Sequence, residues 1–318
     1  MLTLQENRPP LPASPPVPGT RSSGASLGAT LLQELRAVVG EENLACAGDE
    51  RKQWARTTLS QGTLPAAIAR PGSVAEVQAL VRLANRKHLA VYPISTGRNW
   101  GYGDACAPTD GQLLLDLSRL NRILEVNEEF CYARIEPGVT QGQLAAQLEE
   151  QGGRLWMDAT GAGPETSIIG NTLERGFGHT PHGDRIAHAC NLEVVLPDGQ
   201  LLHTGFGHFA GARAANLYPY GVGPAVDGLF TQSNFGIVTK MTIWLMPKPK
   251  AFQAFFFSLS EAGDIAGLIE ALRPLRLAGT LRTPIHIFND LRLLGSTARY
   301  PWGRLDGREA VGGALREE

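Results

Sequence analysis

Pro93-Ile-Ser-Thr-Gly-Arg-Asn-Trp-Gly-Tyr-Gly103 leaves an apolar segment, residues 89–94, and passes through three glycines in seven positions. Gly97, Gly101 and Gly103 let the backbone turn tightly or approach a ligand where a Cβ would interfere. Ser95, Thr96 and Asn99 add hydroxyl and amide groups, and Arg98 adds a fixed positive charge. Such a loop can wrap a pyrophosphate in a nest of donors. An ordinary polar turn uses the same residue types.

The glycine bias extends well beyond this loop. Of 37 glycines in 318 residues, 22 lie between positions 97 and 236. They follow no Gly-X-Y period, and 43% of the chain is apolar, so collagen-like and disordered readings fall away. Two further segments carry the excess. In Ser167-Ile-Ile-Gly-Asn-Thr-Leu-Glu-Arg-Gly176, small residues at an expected helix start allow an anion or a flat ring to come close. Glu174-Arg175 on its own reads equally as a solvated pair. Asp227-Gly-Leu-Phe-Thr-Gln-Ser-Asn-Phe-Gly236 reads from its pattern as a helix end before a strand.

Periodicity supplies the elements around these loops. Leu31, Leu32, Leu35 and Val38–Val39 predict a short amphipathic helix, and residues 64–70 a strand. Ser73 with Glu76 forms a capping box that opens a helix to about Lys87. Apolar runs at 112–117, 122–126 and 131–136 predict sheet strands. Thr140 with Gln143 opens a second helix, which stops at Gly152-Gly153. Pro197-Asp-Gly199 predicts the turn of a hairpin over 192–204. A strand over 236–245 is expected to end at Pro247 and Pro249, then a strand at 252–259 and a helix at 262–273. Strands and helices without regular alternation argue α+β.

Composition narrows the function classes. With 29 basic and 31 acidic residues the net charge is −2, which offers no basic field for nucleic acid and no polybasic patch for a membrane. No apolar run reaches the ~18 residues of a membrane span. The first 28 residues, rich in Pro, Ser and Gly, predict a disordered leader without an apolar signal region, and the expected location is cytoplasmic. Cys46, Cys106, Cys131 and Cys190 show no CxxC or zinc spacing and read as buried thiols of a reducing compartment.

Two patterns are decoys. Gly205-Phe-Gly-His-Phe-Ala210 fits the dinucleotide fingerprint, but that fingerprint needs a helix directly after it, and Tyr218-Pro-Tyr-Gly-Val-Gly-Pro224 interrupts the chain. His179, His182 and His188 are close in sequence but lack metal-ligand spacing, so no metal site is expected.

Five motifs in order change the weight of these loops: Pro93–Gly103, Ile135-Glu-Pro-Gly-Val139, Ile169–Gly176, Gly178-His-Thr-Pro-His-Gly-Asp184 and Gly228–Val238. Together they resemble the vanillyl-alcohol oxidase and p-cresol methylhydroxylase family over residues 60–290. The resemblance implies a two-part FAD-binding domain, here 29–247, followed by a substrate-covering cap, of which 248–318 would be an incomplete beginning. It implies FAD as cofactor. Ser95, Thr96, Gly97, Arg98, Asn99 and Gly101 would hold the pyrophosphate, and Pro93 before them would also contact the cofactor. Pro137, Gly138, Gly170, Asn171, Glu174, Arg175, Gly176, Gly178, Gly236, Ile237 and Val238 would line the rest.

The implied chemistry is hydride loss from the benzylic carbon of a para-substituted phenol to the flavin. Tyr102 matches the tyrosine that contacts the phenolate oxygen. The oxidases of the family carry an aspartate near the flavin, for which Asp158 and Glu165 are the candidates here, and His179 stands where the family has a tyrosine. A small phenolic substrate, a homodimer and a cytochrome c electron acceptor are the partners the resemblance implies. A non-catalytic FAD-binding fragment and an FAD enzyme of hydroxy acids or sugars are the alternatives.

Overall fold

A computed structural model of the chain describes residues 27–55, 62–99, 105–290 and 292. Gly101, Tyr102 and the leader up to residue 26 therefore lie outside the described residues.

The first half contains α1 (Ala29–Val39), β1 (Leu44–Ala45), α2 (Gly48–Gln53), β2 (Ala67–Ala69), α3 (Val74–Lys87), β3 (Val91–Ile94) and β4 (Leu113–Asp116). The strands form one sheet in the order β1-β2-β4-β3, with β2 and β3 parallel to β4 on either side of it. Side chains alternate between the faces of a strand, and here both faces are covered. Ala67, Ala69, Leu113 and Leu115 pack under Leu35, Val77 and Leu80 of the two long helices. Ile68 and Leu114 pack on the opposite side with Ile94, Tyr92 and Trp54. Double burial explains why these strands read as unbroken apolar runs. The α3 cap is as expected: Glu76 N donates to Ser73 Oγ at 3.2 Å, and Gly72 N donates to Glu76 Oε2 at 2.8 Å.

The second half contains β5 (Ile123–Asn127), β6 (Tyr132–Ile135), α4 (Gln141–Glu150), β7 (Leu155–Trp156), α5 (Ile168–Leu173), β8 (Ala189–Val195), β9 (Leu201–His203), β10 (Ile237–Trp244), β11 (Met246–Pro247) and α6 (Ile265–Leu277). An antiparallel sheet runs β5-β6-β10-β8-β9. Ile135, Leu192, Val194, Val238 and Met241 turn one face toward Leu144 and Leu148 of α4 and Ile168 and Ile169 of α5. The 196–200 turn of the β8–β9 hairpin docks on α3, where Gln78 and Arg82 both donate to the Gly199 carbonyl at 2.8 and 2.7 Å. Val195 and Ile237 join the core of the first half, so the two sheets share an apolar seam. The α+β architecture expected from the element pattern is the one observed.

Two expectations need correction. Residues 252–259 form no strand: Phe252, Phe255, Phe256 and Phe257 are exposed, Phe256 at 93%. An apolar run becomes a strand only where a neighbour accepts its backbone hydrogen bonds, and none among the described residues does. The strand expected to end before Pro247 and Pro249 does so, since β10 stops at Trp244, and Pro247 then pairs with Leu155 in the separate short strand β11. The pairing occupies an edge, where a missing N–H is tolerated. The helix expected at 262–273 runs later, as α6, and has no buried residue. No described helix is long and apolar enough to cross a membrane.

Candidate functional site

A cleft opens where the end of β3 faces α5 and the start of β10. From the first half come Pro93, Ser95, Gly97 and Asn99; α5 and its C-terminal end supply Gly170 and Glu174; β10 and the residue before it supply Gly236, Ile237 and Val238. The three glycine-bearing segments singled out in the sequence thus converge. Gly97 has φ +64°, a left-handed conformation that disfavours side chains. Gly170 is where α5 meets the loop, since a Cβ there would lie 3.0 Å from Ser95 Oγ and 3.1 Å from Asn99 Nδ2.

Two sets of hydrogen bonds hold this geometry. Ser167, fully buried, accepts from Gly170 N at 2.9 Å and donates to the Pro137 carbonyl at 2.6 Å. One hydroxyl thereby caps α5 and ties it to the Pro137-Gly138 turn. Across the cleft, Thr96 Oγ1 donates to the Glu165 carbonyl at 3.1 Å and Thr166 Oγ1 to the Arg98 carbonyl at 3.2 Å.

The lining sets polar side chains beside an apolar wall. Asn99 Oδ1 is buried with no hydrogen-bond partner among the described residues. A buried amide oxygen in that state is an acceptor that a donor from a ligand or water would satisfy. Glu174 is the one acid among the lining residues, and burial raises its pKa above the ordinary carboxylate value, which weakens its repulsion of an anion. Gly170 and Gly236 keep the walls low, while Ile237, Val238 and Phe230 offer an apolar surface for a flat ring.

Other sequence candidates serve behind the cleft. Pro137 and Gly138 are buried, and Gly138 N donates to the Leu120 carbonyl at 2.7 Å. Asn171 Oδ1 accepts from Arg185 Nη1 at 2.7 Å, and Gly176 packs against the Asn171 side chain. The Arg175 guanidinium donates to Thr231 Oγ1. Gly178 lies against the Asp158 carboxylate, where any Cβ would overlap it.

The catalytic candidates do not meet in the cleft. Asp158 lines a separate small cavity with Arg185, His182, His188 and Trp244. Its Oδ2 pairs with Arg185 Nε at 3.1 Å, and its Oδ1 accepts from Thr180 N and Oγ1 at 3.1 and 2.5 Å. The carboxylate is fixed as half of a buried ion pair. Glu165 is exposed and contributes its carbonyl. His179 is exposed and meets His286 edge-on with ring centroids 4.7 Å apart. His182 and His188 stack at 4.0 Å, and no group of three His, Cys, Asp or Glu among the described residues is placed to hold a metal.

Further residues line the cleft. Leu173, Phe230, Gln232 and Ser233 lie within the quoted motifs but were not named as site residues, whereas Tyr92 and Leu117 carry no motif and reach the cleft through tertiary placement alone. The fingerprint at 205–210 is a short 3-10 turn, Gly205–His208, with no helix after it. Among the thiols, Cys190 is buried, which pushes its pKa up to about 12, while Cys46, Cys106 and Cys131 are only half-buried.

Comparison with known proteins finds FAD-binding and flavoprotein relatives. A family described as an FAD binding domain matches residues 65–205. The chain is 45% identical over 287 residues to the 1'-carboxy-chondrochloren decarboxylase of Chondromyces crocatus, covering 89% of this chain and 52% of that protein. It is 36% identical over 268 residues to the 4-cresol dehydrogenase [hydroxylating] flavoprotein subunit of Pseudomonas putida, covering 83% and 51%. The crystal structure of p-cresol methylhydroxylase with substrate bound superimposes with a TM-score of 0.77 at 36% identity, over 80% of this chain and 50% of that one. The 4-ethylphenol oxidase of Gulosibacter chungangensis, in its isoeugenol complex, gives 0.75 at 34% identity over the same shares. The chain spans about half the length of these relatives.

Proposed function

We propose, from the premise that the chain belongs to the vanillyl-alcohol oxidase and p-cresol methylhydroxylase family of FAD-binding proteins, that it is the flavin-holding part of an oxidoreductase of para-substituted phenols. Its cofactor is FAD. The observation that carries the reading is the meeting of Gly170 with Ser95 and Asn99, which brings two motifs 71 positions apart (170 − 99) onto one cleft.

The residues divide by role. Ser95, the Gly97 turn and the Asn99 amide would hold the pyrophosphate, and Arg98 would add positive charge nearby. Gly170, Glu174, Gly236, Ile237 and Val238 would bound the remainder of the cofactor. When bound, FAD supplies the acceptor for the two electrons and hydrogen lost at the benzylic carbon. Tyr102 would donate to the phenolic oxygen of the substrate, stabilising the negative charge it carries as the benzylic C–H bond breaks. Asp158 would act at a distance, by fixing the 178–185 turn. The name of the Pseudomonas relative, a flavoprotein subunit, supports a separate partner subunit, and a cytochrome c electron acceptor is what the family resemblance implies for it.

A second reading is the decarboxylation of a carboxylated substrate, favoured by the 45% identity to a decarboxylase over 89% of this chain. One experiment separates the two. The purified chain is loaded with FAD and mixed anaerobically with a 4-alkylphenol or with a phenol bearing a side-chain carboxylate. Bleaching of the flavin band by the alkylphenol supports the first reading. Carbon dioxide release from the acid supports the second. Failure to retain FAD at all sinks both.

A further inference from the structure

Composition marks residues 1–28 as a leader, and the spacing of its prolines carries more. In Arg8-Pro-Pro-Leu-Pro-Ala-Ser-Pro-Pro-Val-Pro18, Pro9, Pro12, Pro15 and Pro18 stand at every third position. A polyproline II helix has three residues per turn, so this spacing sets four prolines along one edge of such a helix. Pro10, Ala13 and Pro16 fall on a second edge, and Leu11, Ser14 and Val17 on the third. Segments of this kind dock on exposed aromatic rings, at little cost in chain entropy because the bound conformation is already favoured.

A ladder of such rings follows β9. Phe206 meets Tyr218 edge-on with centroids 6.4 Å apart, and Tyr218 and Tyr220 follow at 5.5 Å with planes at 40°. Tyr218 and Tyr220 are 44% and 51% exposed, and Val222 beyond them 84%. The rings stand on a fixed base. Gly205, at φ +57°, and Gly221 pack backbone to backbone, since a Cβ on Gly221 would lie 2.7 Å from the Gly205 carbonyl carbon. Trp244 Nε1 donates to the Asn216 carbonyl at 3.1 Å and ties the start of the segment to β10. Two tilted rings side by side make an apolar shelf for a proline edge. Their hydroxyls can donate to the carbonyls that a polyproline II backbone leaves without internal partners.

Reach and charge both fit. Leu27 is 6% exposed and belongs to the core cluster that also holds Val195, and Val195 pairs with Leu201 at the start of β9. Residues 19–27 span up to about 30 Å when extended, against about 13 Å for the four steps from Leu201 to Gly205. Neither Pro9–Pro18 nor Leu217–Pro224 contains a charged residue, so the contact is apolar on both sides.

We propose that the segment Pro9–Pro18 docks as a polyproline II helix on the Tyr218, Tyr220 and Val222 surface of its own chain. This contact is independent of FAD and of the substrate.

The test titrates a synthetic peptide of residues 7–20 into two forms of the full chain, the unaltered one and one carrying Pro9→Ala, Pro12→Ala, Pro15→Ala and Pro18→Ala. A tethered segment competes at a millimolar effective concentration, so the unaltered chain should bind the peptide about tenfold more weakly than the altered one. Adding Tyr218→Ala or Tyr220→Ala to the altered chain should abolish binding, with the thermal midpoint confirming that the variant is folded. Phe130→Ala removes an exposed ring at the β5–β6 turn and should change nothing. Nuclear Overhauser contacts between the tyrosine rings and leader prolines in the unaltered chain read the same docking without a substitution there. Equal affinities in the two forms, no binding to the altered chain, indifference to both tyrosine changes, or absence of those contacts would overturn the proposal. So would a dimer in sedimentation that the four proline changes dissolve, because it would place the segment on a second copy.

Discussion

Arg185 Nε lies 3.1 Å from Asp158 Oδ2, with the two side chains only 4% and 7% exposed. Its other nitrogens donate to the Asp158 carbonyl at 2.9 Å and to Asn171 Oδ1 at 2.7 Å. One guanidinium thus joins the strand exit at 158, helix α5 and the 178–185 turn. Burial lowers the Arg185 pKa and the Asp158 charge raises it, so the pair stands or falls together. Arg185→Met should cost about 3–5 kcal/mol in urea unfolding, because it strands a buried carboxylate. The double variant with Asp158→Leu should cost clearly less than the sum of the two single changes. Strict additivity would show that the ion pair is not coupled.

The contact at Gly170 separates cofactor binding from stability. Alanine is favoured over glycine inside a helix by up to about 1 kcal/mol. A Cβ here would nevertheless press on Ser95 Oγ and Asn99 Nδ2 at 3.0 and 3.1 Å. Gly170→Ala should therefore leave the unfolding midpoint nearly unchanged while weakening FAD binding by about 1–3 kcal/mol, the usual cost of overpacking. Thermal unfolding reads the first effect and flavin fluorescence titration the second. FAD affinity equal to that of the unaltered chain would remove Gly170 from the site.

Legibility followed the range of the interactions. The α3 helix and the N-cap of α4 were readable because a cap acts within four residues: Ser73 and Thr140 both accept the N–H three positions on. In α4 the Gln143 side chain goes to the Asn121 carbonyl instead of back to its cap, a tertiary choice that local pattern does not encode. The FQAFFFSL run misled because strand propensity states what a segment would do beside a partner and does not supply one. In the cleft, Ser95, Gly97 and Gly170 announced themselves by their chemistry. Tyr92 and Leu117 did not, since nothing distinguishes a cleft-lining apolar side chain from a core one before the chain is folded. Arg185 was missed for the opposite reason: a lone arginine reads as a surface residue until its two acceptors close around it.

Asp227 gives a pH dependence with a definite sign. Thr204 Oγ1 donates to Asp227 Oδ1, whereas Oδ2 is buried without a partner among the described residues. Burial raises the Asp227 pKa more than the Thr204 hydrogen bond lowers it. A carboxyl whose folded pKa exceeds its unfolded one holds its proton better in the folded state. Its contribution to stability is thus fully present below the unfolded value, about 3.9, and is lost as pH rises through the folded value. Asp227→Asn, which keeps the acceptor for Thr204, should be more stable than the unaltered chain at pH 7 by about 1 kcal/mol, with the gap closing near pH 4. A variant less stable at every pH would mean that the ionised carboxylate has a partner.

Ser167 and Ser73 are both helix N-caps, and the comparison between them tests whether the cleft depends on α5. Ser73 caps α3 with help from Glu76, and α3 contributes no residue to the cleft. Ser73→Ala should cost about 1 kcal/mol, the ordinary value of a cap, and leave FAD affinity unchanged. Ser167→Ala removes the acceptor for Gly170 N and the donor to the Pro137 carbonyl, both in a fully buried position. Leaving buried polar groups unpaired adds about 1–3 kcal/mol to the lost cap, so this variant should be the less stable of the two. Because the released N–H belongs to Gly170, the start of α5 should also shift against Ser95 and Asn99, and FAD affinity should fall with stability. Equal loss of FAD affinity in the two variants would mean that general destabilisation weakens the site. Loss confined to Ser167→Ala would show that the α5 cap holds the glycine in place against the loop.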